Sequence, residues 1–308
     1  MSAWLDAHGA DPVAVFEEQR PRLRGLAYRM TGCPSDADDI VQDAWCRFAD
    51  RHDDVTDPPA WLTTVVTRLS IDQLRSARHR REHYVGPWLA EPMIDPPSPD
   101  DDPGDRAVMI ESITIGFLTV LEHLSPLERA VFVLHDVFSI PLSEIADIIE
   151  RTPAATRQLA KRARDHLADD RPRFDPHPSQ VRELTAMMLD AAASGDLETL
   201  ESYLAEDIVH LSDGGAERRA ARLPVVGRAR VARFYANLAR RLEPGTEIHL
   251  VSTNGQAALY LTHDGTPVML FVPTWVDGRI AATHSLLNPA KLAPFHAAWI
   301  AAGAPSLP

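Results

Sequence analysis

Ser143-Glu144-Ile145-Ala146-Asp147-Ile148-Ile149-Glu150-Arg151-Thr152-Pro153-Ala154-Ala155-Thr156-Arg157-Gln158-Leu159-Ala160-Lys161 is the stretch on which the organisation of this 308-residue chain turns. A short helix starts at Ser143, with Ile145, Ile148 and Ile149 on one face. Glu150-Arg151 forms a tight turn, at a place where a glycine would ease a positive φ. Thr152-Pro153 opens a longer helix, since proline suits the first helical position, and Leu159, Ala163 and Leu167 share its inner face. Arg157, Lys161 and Arg164 lie opposite that stripe. Short helix, tight turn and longer helix make a helix-turn-helix pattern. A helix that is apolar on one side and cationic on the other can offer arginines to a DNA major groove. A surface helix with solvated charges has the same pattern, so the stretch alone leaves both readings open.

Upstream, Ser125-Pro126-Leu127-Glu128 reads as a capping box with proline at the first helical position, and helical patterns run over residues 107–168. Residues 90–105 hold Pro92, Pro96, Pro97, Pro99 and Pro103 among aspartates and cannot build a core, which predicts a flexible linker. Residues 11–83 read as helices. Val13, Phe16, Leu23, Leu26, Ala27 and Met30 recur at helical spacing until Gly32. Ser35 is the expected N-cap of the next helix, with Asp36, Asp38 and Asp39 in its first turn, where the helix dipole favours anions. Its inward stripe is Ile40, Val41, Ala44, Trp45 and Phe48. Pro58-Pro59 starts a third helix, with Trp61, Leu62, Val65, Leu69 and Leu74 inward. Arg68, Arg75 and Arg78 can share one face of it. His79-Arg80-Arg81-Glu82-His83 has the H-x-x-E-H spacing of a metal motif, but arginines crowd it and no third ligand is evident; no metal and no cofactor are expected.

Downstream of a second proline-rich break at Arg171–Pro178, residues 179–308 read as α+β. Helical patterns cover Val181–Ala193, Leu197–Leu204 and Ala229–Leu242. Strand-like runs follow at Glu247–Ser252, Ala257–Thr262, Val268–Pro273 and Arg279–Leu287, with hairpin turns at Asp264-Gly265 and Asp277-Gly278. Asp213-Gly214-Gly215 fits a plain turn, and Asn288-Pro289 fits a capped helix start. His210, Asp213, Glu247, Asp264 and His284 have the chemistry to serve a cavity as acid–base groups do in cone-shaped α+β folds, but read first as scattered surface charge. No nucleophile-plus-base pattern and no phosphate loop is present.

The net charge of −13 argues against tight DNA binding by the isolated chain. The acidic excess is densest in residues 91–108, with 6 acids against 1 base, so local basic stripes remain possible elsewhere. The two cysteines, Cys33 and Cys46, read as free thiols of a reducing cytoplasm. No apolar run approaches the ~20 residues that span a bilayer, and the N-terminus shows no secretory pattern.

Taken in order, these segments resemble the extracytoplasmic-function sigma factors. Leu26-Ala27-Tyr28-Arg29-Met30-Thr31-Gly32 looks like the start of region 2, and Asp36–Trp45 like its polymerase-binding segment. Trp61-Leu62 and Arg68–Arg75 look like the segment that melts and reads the −10 element. Leu124–Leu167 looks like region 4, which reads the −35 element. The tail is similar to the SnoaL-like domains fused to one subgroup. Its marks are Tyr84-Val85-Gly86-Pro87-Trp88-Leu89, followed by Ala90 where the subgroup has proline; Asp213–Glu217, which departs from the D-G-G-G-K motif at Ala216 and Glu217; and Asn288-Pro289-Ala290-Lys291-Leu292, close to N-P-D-K-L.

The resemblance implies a multidomain protein. Region 2 covers residues 8–89, an acidic linker 90–106, a helix-turn-helix region 4 residues 107–172, and a cone-shaped α+β barrel of the SnoaL and ketosteroid isomerase type residues 179–308. Its partners would be core RNA polymerase, at the β′ clamp helices and the β flap, and promoter DNA, in the cytoplasm and with no membrane. It implies core contacts through Asp36, Asp38, Asp39, Gln42, Asp43 and Trp45, and −10 contacts through Trp61, Arg68, Asp72, Arg75 and Arg78. The −35 contacts would come from Thr156, Arg157, Lys161 and Arg164. Regulatory contacts would come from Trp88, Asp213, Gly214, Gly215, Asn288 and Lys291, with the tail standing in for a separate anti-sigma protein in stress-responsive transcription. Two other readings are a one-component DNA-binding regulator whose tail senses a small hydrophobic ligand, and a cofactor-free isomerase or cyclase with a helical appendage.

Overall fold

The computed structural model describes residues 11–81, 84–94, 114–167 and 187–304, without the side chains of 78–81. The chain divides into two compact units: residues 1–82 with 121–170, and residues 83–120 with 171–308.

The first unit is helical. Helix α1, Pro12–Thr31, is capped by the Asp11 carboxylate and stopped by Gly32 in the left-handed region at φ 67°, the C-terminal device glycine permits. Val13 is exposed and not part of the apolar face. Helix α2, Pro34–Ala49, takes Cys33 as its N-cap, with no side-chain capping bond. The Ser35 cap is therefore corrected: Pro34, with its fixed φ, occupies the first turn and starts the helix earlier. Helix α3, Pro58–Arg81, buries Leu62, Val66, Ile71 and Leu74, with Val66 replacing the expected Val65. Leu23, Leu26, Met30, Ile40, Ala44 and Phe48 complete that core. Phe16, Trp45, Phe48 and Trp61 form a ring chain at 5.0, 6.5 and 6.0 Å.

Helix α4, Ile115–Leu121, belongs to the second unit up to residue 120; back in the first unit, helix α5, Pro126–Phe132, starts on the expected capping box of Ser125 and Glu128 and runs into a π-turn, Val133–Val137. Helix α6 is Leu142–Ile148 with Pro141 as its cap, so Ser143 lies inside the first turn rather than before it. Helix α7 is Pro153–Leu167, its inner face made by Leu159, Ala160, Ala163 and Leu167. Between α6 and α7, Glu150 takes φ +55°. The turn has the geometry that favours glycine, held here by an ordinary side chain at a steric cost.

The second unit is α+β. A helix at 187–194 (α8) and α9, Leu197–Ser202, precede β1, Leu204–Asp213. Then come β2, Val225–Val226; α10, Arg228–Ala239; β3, Thr246–Thr253; β4, Gln256–His263; β5, Thr266–Val276; β6, Arg279–Leu286; and α11, Pro289–Ala301. The sheet order is β2-β1-β6-β5-β4-β3, with β1 and β6 parallel and every other pair antiparallel. Asn254-Gly255, Asp264-Gly265 and Asp277-Gly278 all have positive φ at both residues, as type I′ hairpins require. One face of the sheet packs Leu200, Leu204, Ile208, Val231, Tyr235, Phe271 and Trp275 into a core. Phe295 and Trp299 of α11 meet Tyr260 at 5.2 and 5.1 Å.

The expected helix at Leu197–Leu204 gives way early. Leu204 is the first residue of β1, where Glu206 and Asp207 face solvent while Ile208, His210, Ser212 and Asp213 are buried. His210, Asp213 and His284 are thus buried, not scattered surface groups, whereas Glu247 and Asp264 are exposed.

Candidate functional site

On α2, Asp38, Asp39, Gln42 and Asp43 are exposed along one side, Asp36 and Trp45 are half-buried, and Ala37, Ile40, Val41, Ala44 and Phe48 turn inward. The dipole accounts for Asp36 in the first turn, but not for the row that continues past it. Arg24 pairs with Asp38 at 2.5 Å. The remaining face is acidic and presented to solvent.

On α3, Asp72 and Arg75 are exposed and paired at 3.2 Å. Trp61 leans on Phe48. The side chain of Arg78 lies outside the described residues, as does the His79–His83 metal pattern. Arg68 is engaged within the protein. Its Nε donates to the Ile148 carbonyl at 2.9 Å, Nη2 donates to the Asp147 carbonyl at 3.3 Å, and Nη1 meets the Glu150 carboxylate at 3.0 Å. These carbonyls lie in the last turn of α6, at its negative dipole end. A reciprocal tie exists. Arg129 of α5, 2 % exposed, donates Nε to the Arg29 carbonyl in the last turn of α1 at 3.0 Å and pairs with Glu122. Each half of the helical unit therefore caps a helix end of the other with an arginine.

On α7, Arg157, Lys161 and Arg164 are exposed opposite the core stripe, and Arg164 pairs with Asp136 at 3.0 Å. Thr156 is corrected. It is fully buried, and its hydroxyl donates to the Thr152 carbonyl at 3.1 Å, so it supports the turn instead of facing outward.

The third constellation lies wholly in the second unit. The Asp213 carboxylate ends β1 fully buried and accepts four hydrogen bonds. Tyr84 Oη gives one at 2.5 Å, the Gly215 N–H one at 3.1 Å, the Leu89 N–H one at 3.0 Å and Lys291 Nζ one at 2.7 Å. Lys291 Nζ also donates to the Leu89 carbonyl at 2.5 Å and sits 4.0 Å from the Trp88 ring centroid. Asn288, the N-cap of α11, donates to Tyr84 Oη at 2.7 Å. Burial, and then the bond to Asp213, push the Tyr84 phenol up, so it stays a donor.

Both glycines are required by close approach. A Cβ on Gly214 would stand 2.5 Å from the Arg218 carbonyl oxygen, and one on Gly215 would stand 2.8 Å from Asn288 Nδ2. All six residues expected to make regulatory contacts are thereby brought together. Tyr84 and the Leu89 backbone are the members that sequence reasoning left out of the set; the Tyr84–Leu89 motif was the available signal.

The strap continues along the sheet. Met93 donates its N–H to Asn254 Oδ1 at 2.9 Å, and its carbonyl accepts from Thr253 Oγ1 at 2.7 Å. Ile94 bridges to Thr253. The Ile115 N–H reaches Gln256 Oε1 at 3.2 Å. Residues 84–94, read in the sequence as the end of region 2 and the start of a flexible linker, are fastened to the C-terminal sheet. Cys33 is buried, Cys46 exposed, and both are free. Among the described residues, no helix is long and apolar enough to cross a membrane.

The family model for Sigma-70 region 2 matches residues 15–80, and that for Sigma-70 region 4 matches residues 116–167. Over 290 residues the chain is 38% identical to "ECF RNA polymerase sigma factor SigJ" of Mycobacterium tuberculosis, covering 91% of this chain and 92% of that protein. "Probable ECF RNA polymerase sigma factor SigI" of the same species is 32% identical over 291 residues, covering 93% and 97%. The crystal structure of Mycobacterium tuberculosis SigJ superposes with a TM-score of 0.73 at 35% identity, covering 91% of this chain and 98% of that one.

Proposed function

This chain belongs to the extracytoplasmic-function sigma factors of RNA polymerase, and from that premise we propose how its residues divide the work. It is a transcription initiation factor, not an enzyme: it binds core polymerase and directs it to promoters. The exposed acidic side of α2, with Asp39, Gln42 and Asp43, is the core-docking face toward the β′ clamp helices. Asp72, Arg75 and Arg78 of α3 read the −10 element with Trp61 beside them, joined by Arg68 once it is released from α6, and Arg157, Lys161 and Arg164 of α7 read the −35 element. Region 4 also meets the β flap. The factor works in the cytoplasm. It needs no separate anti-sigma protein, because its SnoaL-like domain regulates it in cis.

The observation that carries the regulatory reading is the seat of residues 84–94 on Asp213, Asn288 and Lys291. That segment leaves region 2, so whatever holds it sets the path between the two DNA-reading modules. A tethered contact of this kind acts at high effective concentration.

Run-off transcription with core polymerase tests both parts. Asp39→Lys with Asp43→Lys should lose most co-purification with core enzyme while folding normally; unchanged co-purification refutes the docking face. Lys291→Met should change transcript yield several-fold at unchanged core affinity. Equal yield from a factor whose strap has come loose refutes regulation in cis.

A further inference from the structure

The C-terminal unit encloses a cavity of about 560 Å³ that the sigma reading does not use. That volume lies within the range of small-molecule sites. Its floor is the paired face of β1 and β6, where Ser212 stands opposite Ser285 and His210 opposite Thr283. Its sides are Phe234, Leu238, Met269 and Leu287. Its rim carries Arg218, Arg219, Arg222 and Arg241, all exposed, against the single acid Glu217. Val85 and Gly86 of the strap complete the wall.

The floor is a hydrogen-bonded chain. Tyr235 is buried, and its phenol is pushed up by that burial, so it keeps its proton and needs an acceptor. Thr283 Oγ1 lies 2.5 Å from it. Thr283 Oγ1 also lies 2.9 Å from His210 Nδ1, and His210 Nε2 lies 2.7 Å from Ser212 Oγ, the imidazole tautomer setting which atom donates. The Ser212 hydroxyl ends the chain at the cavity. Ser285 Oγ, 1 % exposed, has no hydrogen-bond partner among the described residues. Burial pushes His210 down to about 3, with His284 adding to the effect, so the imidazole is neutral at pH 7. The floor is polar but uncharged, and the positive charge stands at the rim.

We propose that this cavity binds a small amphipathic anion with a hydroxyl at its apolar end. The anionic end meets the arginine rim, and the hydroxyl reaches Ser212 and Ser285. The apolar body lies along Phe234, Leu238 and Leu287. The assignment is independent of the regulatory reading, because binding is measured without polymerase or DNA.

Equilibrium dialysis of the full chain tests it with three probes below their aggregation concentrations: 10-hydroxydecanoate, decanoate and decane-1,10-diol. One saturable site is expected. It should be tightest for the hydroxy acid, several-fold weaker for decanoate, and at least tenfold weaker for the uncharged diol. Arg218→Glu with Arg222→Glu, on the exposed rim, should weaken the hydroxy acid at least tenfold and leave the diol unchanged. Ser285→Ala should narrow the gap between the hydroxy acid and decanoate. Absence of saturable uptake of the hydroxy acid overturns the site. Equal binding of the diol, or wild-type binding by the double rim variant, overturns the anion. A Ser285→Ala protein that keeps the full preference overturns the polar floor.

Discussion

Two clasps hold segments from the first half of the chain, one in water and one away from it. Arg68 grips the end of α6 with side chains 45% and 72% exposed across its ion pair with Glu150. Lys291 grips Asp213 at 6% and 0% exposure, with the Leu89 carbonyl and the Trp88 ring around the ammonium. An exposed pair is worth about 0–1 kcal/mol because water competes and screens it. A buried pair need not stabilise the fold relative to apolar residues, yet it is hard to break, because losing one partner strands the other charge. The Arg68 clasp is therefore cheap to open, and the strap is held by one that opens only with a large penalty.

The largest test of this contrast is Lys291→Met. It leaves Asp213 buried without its cation and should lower the stability of the C-terminal unit by about 3–5 kcal/mol. Urea unfolding reads the loss, and hydrogen exchange should show residues 84–94 deprotected. A loss below about 1 kcal/mol would place the two clasps in one class.

Acid comes next. Burial depresses His284 to about 4, as it does His210 to about 3. Both folded values lie below the unfolded value near 6.5, so the unfolded state takes up protons first. Stability is complete above pH 6.5 and falls as the pH drops toward 4, by up to about 1.4 kcal/mol per pH unit for each histidine. Thermal unfolding at pH 7 and pH 5 should move the C-terminal transition down. An unmoved transition would mean that these imidazoles reach solvent.

The smallest effects belong to the exposed clasp. Arg68→Ala should destabilise the helical unit by no more than about 1 kcal/mol. Glu150→Gly loses the same ion pair but relieves a left-handed backbone, a relief on the order of 1 kcal/mol. It should match or slightly exceed the native stability, whereas Glu150→Ala should fall below it. Chemical denaturation of the three variants checks the order, and a Glu150→Gly protein weaker than Glu150→Ala would contradict it.

The helical unit was legible because its signals are local. Gly32, the Ser125–Glu128 box and Thr152-Pro153 act within one turn of where they stand. Even there, proline outranked capping propensity: Pro34 displaced Ser35, and Pro141 displaced Ser143. β1 was hidden because Leu197–Leu204 continues a helical pattern and Glu206-Asp207 interrupts any alternation; the burial that makes it a strand comes from β6, more than seventy residues on. The burial of His210 and His284 follows from that same pairing. The family resemblance grouped Trp88 with Asp213, Asn288 and Lys291, but nothing local to Tyr84 gave its hydroxyl as the partner that Asp213 and Asn288 share. What sequence could not supply was distance across the chain.

The routing of the backbone has a mechanical consequence. The helical unit is not continuous in sequence: the chain leaves it at Glu82, runs through the C-terminal unit, and re-enters at Leu121. Residues 82–114, if free and extended, would reach roughly 110 Å. Promoter positions −10 and −35 lie about 25 base pairs apart, roughly 85 Å along the duplex. A free tether would let the two modules find almost any spacing. Fastened at 84–94 on Asp213, Lys291 and Thr253, and again at Ile115 on Gln256, the chain carries two pins in the C-terminal unit, and the regulation proposed above amounts to a ruler graduated by their positions.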